Sequence, residues 1–186
     1  HGDEKALVPQ ICLLPGSRLS EIKRLLPIFL DTLDLLHERV GSFKVKLPTF
    51  SGLRPLIEEI ISHKHPSFDL EVVEGGLAKK SVYEESTVAL AASGTVALEL
   101  ACFGVPCVIG YKVNSLSAWI VKHMIKIPYV SMPNILLNRG VIFEGIQKRC
   151  TPEILSTELE TLLRNPEPRK VQKEAFREAL ALLTLP

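Results

Sequence analysis

The sequence predicts an α/β protein built on one open, parallel, Rossmann-like sheet with helices on both faces. Two observations carry this. From residue 9 onward, short apolar runs alternate with longer segments of helical periodicity, and such alternation requires crossover connections, right-handed by rule, between parallel strands. The chain is also the right size: 186 residues slightly exceed the roughly 150 of a common single domain and leave no room for a second one.

The elements follow in order. Residues 1–8 (HGDEKALV) are polar, lack periodicity and run straight into a strand, so they are expected to be a linker or cloned remnant, with the domain proper spanning 9–186. The run QICLL precedes a helix expected over Ser20 to Val40. FKVKL precedes one over Leu53 to His63, and DLEVV a short one over Lys79 to Glu85. TVALAA is followed by Thr95 to Phe103 and PCVIGY by Asn114 to Ile127, before closing helices near 152–164 and 167–183. The sheet should hold five or six strands. Leu30, Leu33, Leu36 and Val40 recur at helical spacing as a core face. Pro27, earlier in that segment, removes a hydrogen bond and predicts a kink or restart.

Composition narrows the function. Hydrophobic residues at 46% and charged residues at 23% are ordinary for a globular chain, which excludes disorder and collagen-like structure. Twenty-two Lys and Arg against 21 Asp and Glu leave a formal charge of +1, so no overall basic field points to nucleic acid. Cys12, Cys102, Cys107 and Cys150 show no zinc spacing and read as buried free thiols. The His63/His65 pair lacks further ligands and reads as a polar helix end. No metal site and no cofactor is expected. Nor is there a stretch near the roughly 20 apolar residues of a bilayer span or an N-terminal signal pattern, so the chain is expected to be cytosol-compatible.

In open parallel sheets, ligands bind beyond the carboxyl ends of the strands. Two loops there stand out. Leu13-Leu14-Pro15-Gly16-Ser17-Arg18 ends the first run: Gly16 allows close backbone approach, although a tight turn alone would explain it, and Arg18 can grip a phosphate bidentately. Ala92-Ser93-Gly94-Thr95 opens the 95–103 helix, where small residues leave helix amides facing outward as a seat for a diphosphate. Ser93 or Thr95 serves equally well as a simple N-cap. Glu99 favours the ligand reading, because in the apolar stretch Val96 to Ala101 an unpaired carboxylate would be costly to bury and ribose hydroxyls would partner it.

No GxGxxG or GxSxG motif occurs, and Gly75 to Ser81 lacks the glycine that a P-loop places before its lysine. Glu74-Gly75-Gly76 reads as a turn that could border a base or sugar. The 44 residues from 100 to 143 contain no Asp or Glu while Lys112, Lys122, Lys126 and Arg139 give +4. Within them Leu116, Trp119, Ile120, Met124 and Ile127 line one helical face with Lys122 and Lys126 beside it, which fits either core packing or a helix resting on an anionic lipid surface. Tyr129-Val130-Ser131-Met132-Pro133-Asn134 follows. Pro133 is expected to fix an extended turn with the Asn134 amide at its tip, and Arg139 to reach the same ligand, with Glu144 and Gln147 further on.

In order, LLPGSRxxEI, ASGTxALELA, PCVIGYK and YVSMPNILxxR followed by Glu144 and Gln147 resemble the lipid-A-disaccharide synthases over nearly all of residues 10–183. That family has the two-domain GT-B fold and transfers 2,3-diacylglucosamine from UDP to 2,3-diacylglucosamine 1-phosphate (lipid X), releasing UDP and forming a β-1,6 disaccharide in lipid A biosynthesis. The resemblance implies that Gly16, Ser17, Arg18, Ser93, Gly94, Thr95 and Glu99 bind the nucleotide and that Asn134, Arg139 and Gln147 line the cleft. It implies a peripheral place on the cytoplasmic face of the inner membrane, with Trp119, Lys122 and Lys126 touching anionic lipid; since the chain lacks an acidic pair suited to Mg²⁺ and helix amides with Arg18 can stabilise the leaving diphosphate, transfer is expected to be metal-independent. A homodimer of the whole enzyme is also implied. A complete enzyme is about twice this length, so the chain is expected to be the C-terminal, donor-binding half, inactive alone, with the catalytic base on the other half. Two other classes stay open: another UDP-sugar enzyme of this architecture, and a noncatalytic nucleotide-binding or interaction module.

Overall fold

The computed structural model describes residues 7–92, 94–124 and 128–184. Strands β1 (Gln10–Leu14), β2 (Lys44–Thr49), β3 (Asp69–Glu74), β4 (Val88–Ala91), β5 (Cys107–Tyr111) and β6 (Phe143–Ile146) form one sheet in the order β3-β2-β1-β4-β5-β6. Every neighbouring pair is parallel. The helices are α1 (Leu19–Val40), α2 (Arg54–Lys64), α3 (Gly76–Glu85), α4 (Gly94–Cys102), α5 (Ser115–Met124), α6 (Met132–Leu137), α7 (Pro152–Arg164) and α8 (Pro166–Leu183).

Side chains alternate across each strand, so two cores form. Ile11 and Leu13 of β1, with Val45, Leu47, Val88, Leu90 and Val108, face α1, α2 and α7. Cys12 and Leu14, with Ala89, Ala91, Cys107 and Ile109, face α3, α4 and α8. A strand covered on both sides reads as a continuous apolar run, which explains QICLL and VALA.

Helix α1 passes Pro27 without the restart expected there. A mid-helix proline costs about 3 kcal/mol. Seven apolar side chains of α1, Ile22, Leu25, Leu26, Phe29, Leu30, Leu33 and Leu36, are completely buried, and each contributes about 1.5–3 kcal/mol. Burial on both sides of the proline outweighs the local penalty, and the helix continues.

Three further departures follow. Strand β6 is FEGI, whose glutamate and glycine give no apolar run; among the described residues it pairs with β5 alone and forms an edge of the sheet. Pro133 sits in the first turn of α6 rather than in an extended turn, because its locked φ and missing N–H suit that position as well. Helix α3 starts at Gly76, three residues before the expected Lys79. Among the cysteines, Cys12, Cys107 and Cys150 are buried and free, whereas Cys102 is exposed. Burial pushes the Cys107 thiol up to about 12 and, against the opposing charge of Lys112, the Cys150 thiol to about 11, so both stay protonated.

Candidate functional site

The strand order reverses direction between β1 and β4. Chain leaving β1 runs to one side of that point and chain leaving β4 to the other, which opens a crevice between the two loops. The loop ends are tied together at its floor, where the Ala92 amide donates to the Leu14 carbonyl at 2.8 Å. A cavity of about 550 Å³ occupies this place.

Gly16, Ser17 and Arg18 form one wall of it and Thr95, Val96 and Glu99 of α4 another. Gly16 has φ +108°, and a Cβ there would collide with the Glu21 carboxylate, so only glycine fits the turn. Arg18 is the N-cap of α1 in extended conformation. Its side chain is 81% exposed and its guanidinium lies 3.7 Å from Glu21, a loose pairing that leaves it available to a ligand. Gly94 is required for a second reason: a Cβ would strike the Val130 carbonyl, so the start of α4 packs directly on the 130–131 backbone. Ser93 lies outside the described residues.

Glu99 is not buried, contrary to the argument from its apolar neighbours. The face of α4 carrying Thr95, Val96 and Glu99 is the cavity wall, and the Glu99 side chain is 48% exposed. Its partners come from α3: Lys79 Nζ at 2.8 Å and the Tyr83 hydroxyl, which donates at 3.1 Å. The pairing is therefore made at a solvent-reached wall and not in the hydrophobic interior.

Lys79, Gly75 and Gly76 line the cavity as well, as do Pro48, Thr49 and Phe50 beyond β2. Sequence reading set Lys79 aside with the failed P-loop and passed over Phe50. The available signal was position: both follow the carboxyl ends of predicted strands. Phe50 is 66% exposed at the cavity's edge, so its ring is open to a ligand there. A second, smaller cavity adjoins the first, sharing Arg18 and Glu21 and adding Tyr111 and Val130.

The remaining predicted cleft residues stand elsewhere. Asn134 is 1% exposed and not at a loop tip: its amide nitrogen donates to the Ile142 carbonyl at 2.8 Å, and its oxygen accepts from the Val141 and Ile142 amides, each at 2.9 Å. Gln147 accepts from the Val113 amide at 2.7 Å and donates to its carbonyl at 3.2 Å. Arg139 forms a two-pronged ion pair with Glu178 of α8, at 3.0 and 2.6 Å, that holds the Glu178 carboxyl below the usual range. None of the three lines either cavity. Glu144 is likewise engaged, accepting from the Val130 and Ser131 amides.

On α5, Leu116, Trp119 and Ile120 are 71%, 61% and 42% exposed, so this face is not core. Lys122 is in α5, but its side chain, like all of Lys126 and Ile127, lies outside what is described, as does the Met124 side chain. Among the described residues, no group of three or more His, Cys, Asp or Glu comes together to hold a metal, and no helix is long and apolar enough to cross a membrane.

Comparison with known proteins settles the family. The family model for lipid-A-disaccharide synthetase matches residues 3–184. The chain belongs to that family. It is 38% identical over 169 residues to the lipid-A-disaccharide synthase of Rhodospirillum centenum, covering 90% of this chain and 41% of that one. Against the Salmonella paratyphi A synthase it is 35% identical, covering 90% and 44%. The chain thus spans under half the length of these family members. Among solved structures, Acinetobacter baumannii MurG matches with TM-score 0.59 at 13% identity, over 97% of this chain and 51% of that one. The UDP-GlcNAc 2-epimerase of Neisseria meningitidis bound to UDP-GlcNAc matches with TM-score 0.56 at 15% identity, over 96% and 44%. At such identity these two speak for the fold alone, one Rossmann-like half of the GT-B architecture.

Proposed function

We propose that this chain is the donor-binding half of a lipid-A-disaccharide synthase and that the cavity between β1 and β4 takes the UDP of UDP-2,3-diacylglucosamine. One observation carries the reading: the two loops singled out for an anion meet at the strand-order reversal and share one cavity with a carboxylate suited to ribose. The α4 amino end and Arg18 suit the diphosphate, Glu99 the ribose hydroxyls, and Phe50 the face of a base. Ser93 belongs to the same loop. The adjoining cavity beside Tyr111 and Val130 suits the sugar.

In transfer, the acceptor hydroxyl of lipid X attacks the anomeric carbon and the bond to UDP breaks, the electron pair leaving with the diphosphate. Helix amides and Arg18 stabilise the charge that develops there. The hydroxyl proton goes to a general base, which we place on the half of the enzyme outside this chain. The exposed Leu116, Trp119 and Ile120 face, with Lys122 and Lys126, is proposed to rest on anionic lipid, keeping the acyl chains of both substrates near the bilayer.

Calorimetry of the chain with UDP and ADP tests the reading. UDP binding, absent with ADP and lost in Glu99→Ala, is the expected result. A folded chain that binds neither nucleotide would make it an interaction module instead.

A further inference from the structure

Two donors from α3 end on the same atom of Glu99. Lys79 Nζ and the Tyr83 hydroxyl both reach Oε2, at 2.8 and 3.1 Å, and neither of these bonds uses Oε1. Lys79 lines the cavity, whereas Tyr83 does not. Tyr83 is 2% exposed, its ring set edge-on to Phe103 with centroids 5.3 Å apart and lying 5.6 Å from the Lys79 ammonium. Its hydroxyl therefore reaches the cavity wall through the Glu99 carboxylate. Burial, reinforced by the Glu99 charge, raises the phenol pKa, so the hydroxyl stays protonated and donates at neutral pH.

A half-exposed glutamate is ordinarily free to sample several rotamers, and fixing it on ligand binding costs affinity. Here the fixing is done beforehand, by a tyrosine whose own position is set by packing. We propose that Tyr83 is the positioning residue of the ribose subsite: with Lys79 it holds Oε2 of Glu99, so that Oε1 is the atom presented to the ribose hydroxyls, and it thereby sets the preference for ribonucleotide over 2′-deoxyribonucleotide. This rests on the donor-site reading above.

The test compares UDP with 2′-deoxy-UDP by calorimetry on the 186-residue chain, on Tyr83→Phe, on Glu99→Ala and on the double variant. Tyr83→Phe keeps the ring and removes one oxygen. We expect the unaltered chain to favour UDP by about tenfold, Tyr83→Phe by about threefold or less, and Glu99→Ala not at all. In the Glu99→Ala background, Tyr83→Phe should change the ratio no further. If Tyr83→Phe weakens both ligands equally, or leaves the ratio untouched while the unaltered chain binds UDP, the positioning role is overturned and the donor site stands. If the unaltered chain binds no UDP, the donor site falls and this inference with it.

Discussion

At the β1/β4 crevice Arg18 faces solvent and is loosely held, whereas beside β6 Asn134 is spent on the protein's own backbone. Arg18 is 81% exposed with one partner at 3.7 Å; Asn134 is 1% exposed with three short bonds to residues 141 and 142. Both residues lie in segments that resemble the family's motifs. The difference teaches that a polar residue in a motif can serve the ligand directly or serve the frame that holds the ligand's walls. The two regions are joined: Glu144 holds the 130–131 backbone, and that backbone packs against Gly94 at the start of α4.

The largest effect should come from the frame. Asn134→Ala removes the side-chain partner of the buried Ile142 amide and carbonyl, while the Val141 amide keeps its bond to the Arg139 carbonyl, and should cost about 2–4 kcal/mol of stability, read by urea unfolding. If stability is unchanged and UDP affinity falls instead, the two regions have the opposite roles. Gly94→Ala forces the start of α4 off the Val130 carbonyl and should cost about 1–3 kcal/mol, together with a loss of UDP affinity, because this glycine belongs to both regions. Arg18→Ala should weaken UDP binding by about tenfold to a hundredfold while thermal unfolding shifts stability by no more than about 0.5 kcal/mol. A large stability loss there would place Arg18 with the frame.

The smallest effect is expected at Arg139. Its partner Glu178 has a lowered pKa in the folded chain, so the stabilisation is present above the ordinary glutamate value and fades as pH falls through the folded value. Melting curves of Arg139→Ala and the unaltered chain should differ slightly at pH 7 and draw together as pH falls below the ordinary glutamate value, with UDP affinity unaltered throughout. A loss of UDP affinity in Arg139→Ala would bring this arginine back to the ligand.

Much of the architecture was legible in the residues. Strands β1, β4 and β5 appear as apolar runs because a central parallel strand is buried on both faces, the partly exposed β2 and β3 as shorter apolar stretches mixed with charge, and α1, α2, α4, α7 and α8 as periodic segments because one face of each packs into a core. Strand β6 was not legible, since an edge strand with Glu144 and Gly145 need not be apolar, and neither was α6, whose six residues are too few for periodicity. Gly16, Arg18 and Thr95 could be named because strand ends in such sheets are where ligands go.

Local residue types and their spacing were thus enough for the class of fold and for the two loops that close on the crevice, since hydrophobic period and strand-end position are properties of the chain order. Which polar atoms meet which was settled only by folding. Lys79 and Tyr83 reach Glu99 from another helix, Phe50 arrives at the cavity from beyond β2, and Asn134 turns inward to residues 141 and 142. A hydrogen bond is made across space at about 3 Å, and no one-dimensional pattern specifies which donor will lie within that distance.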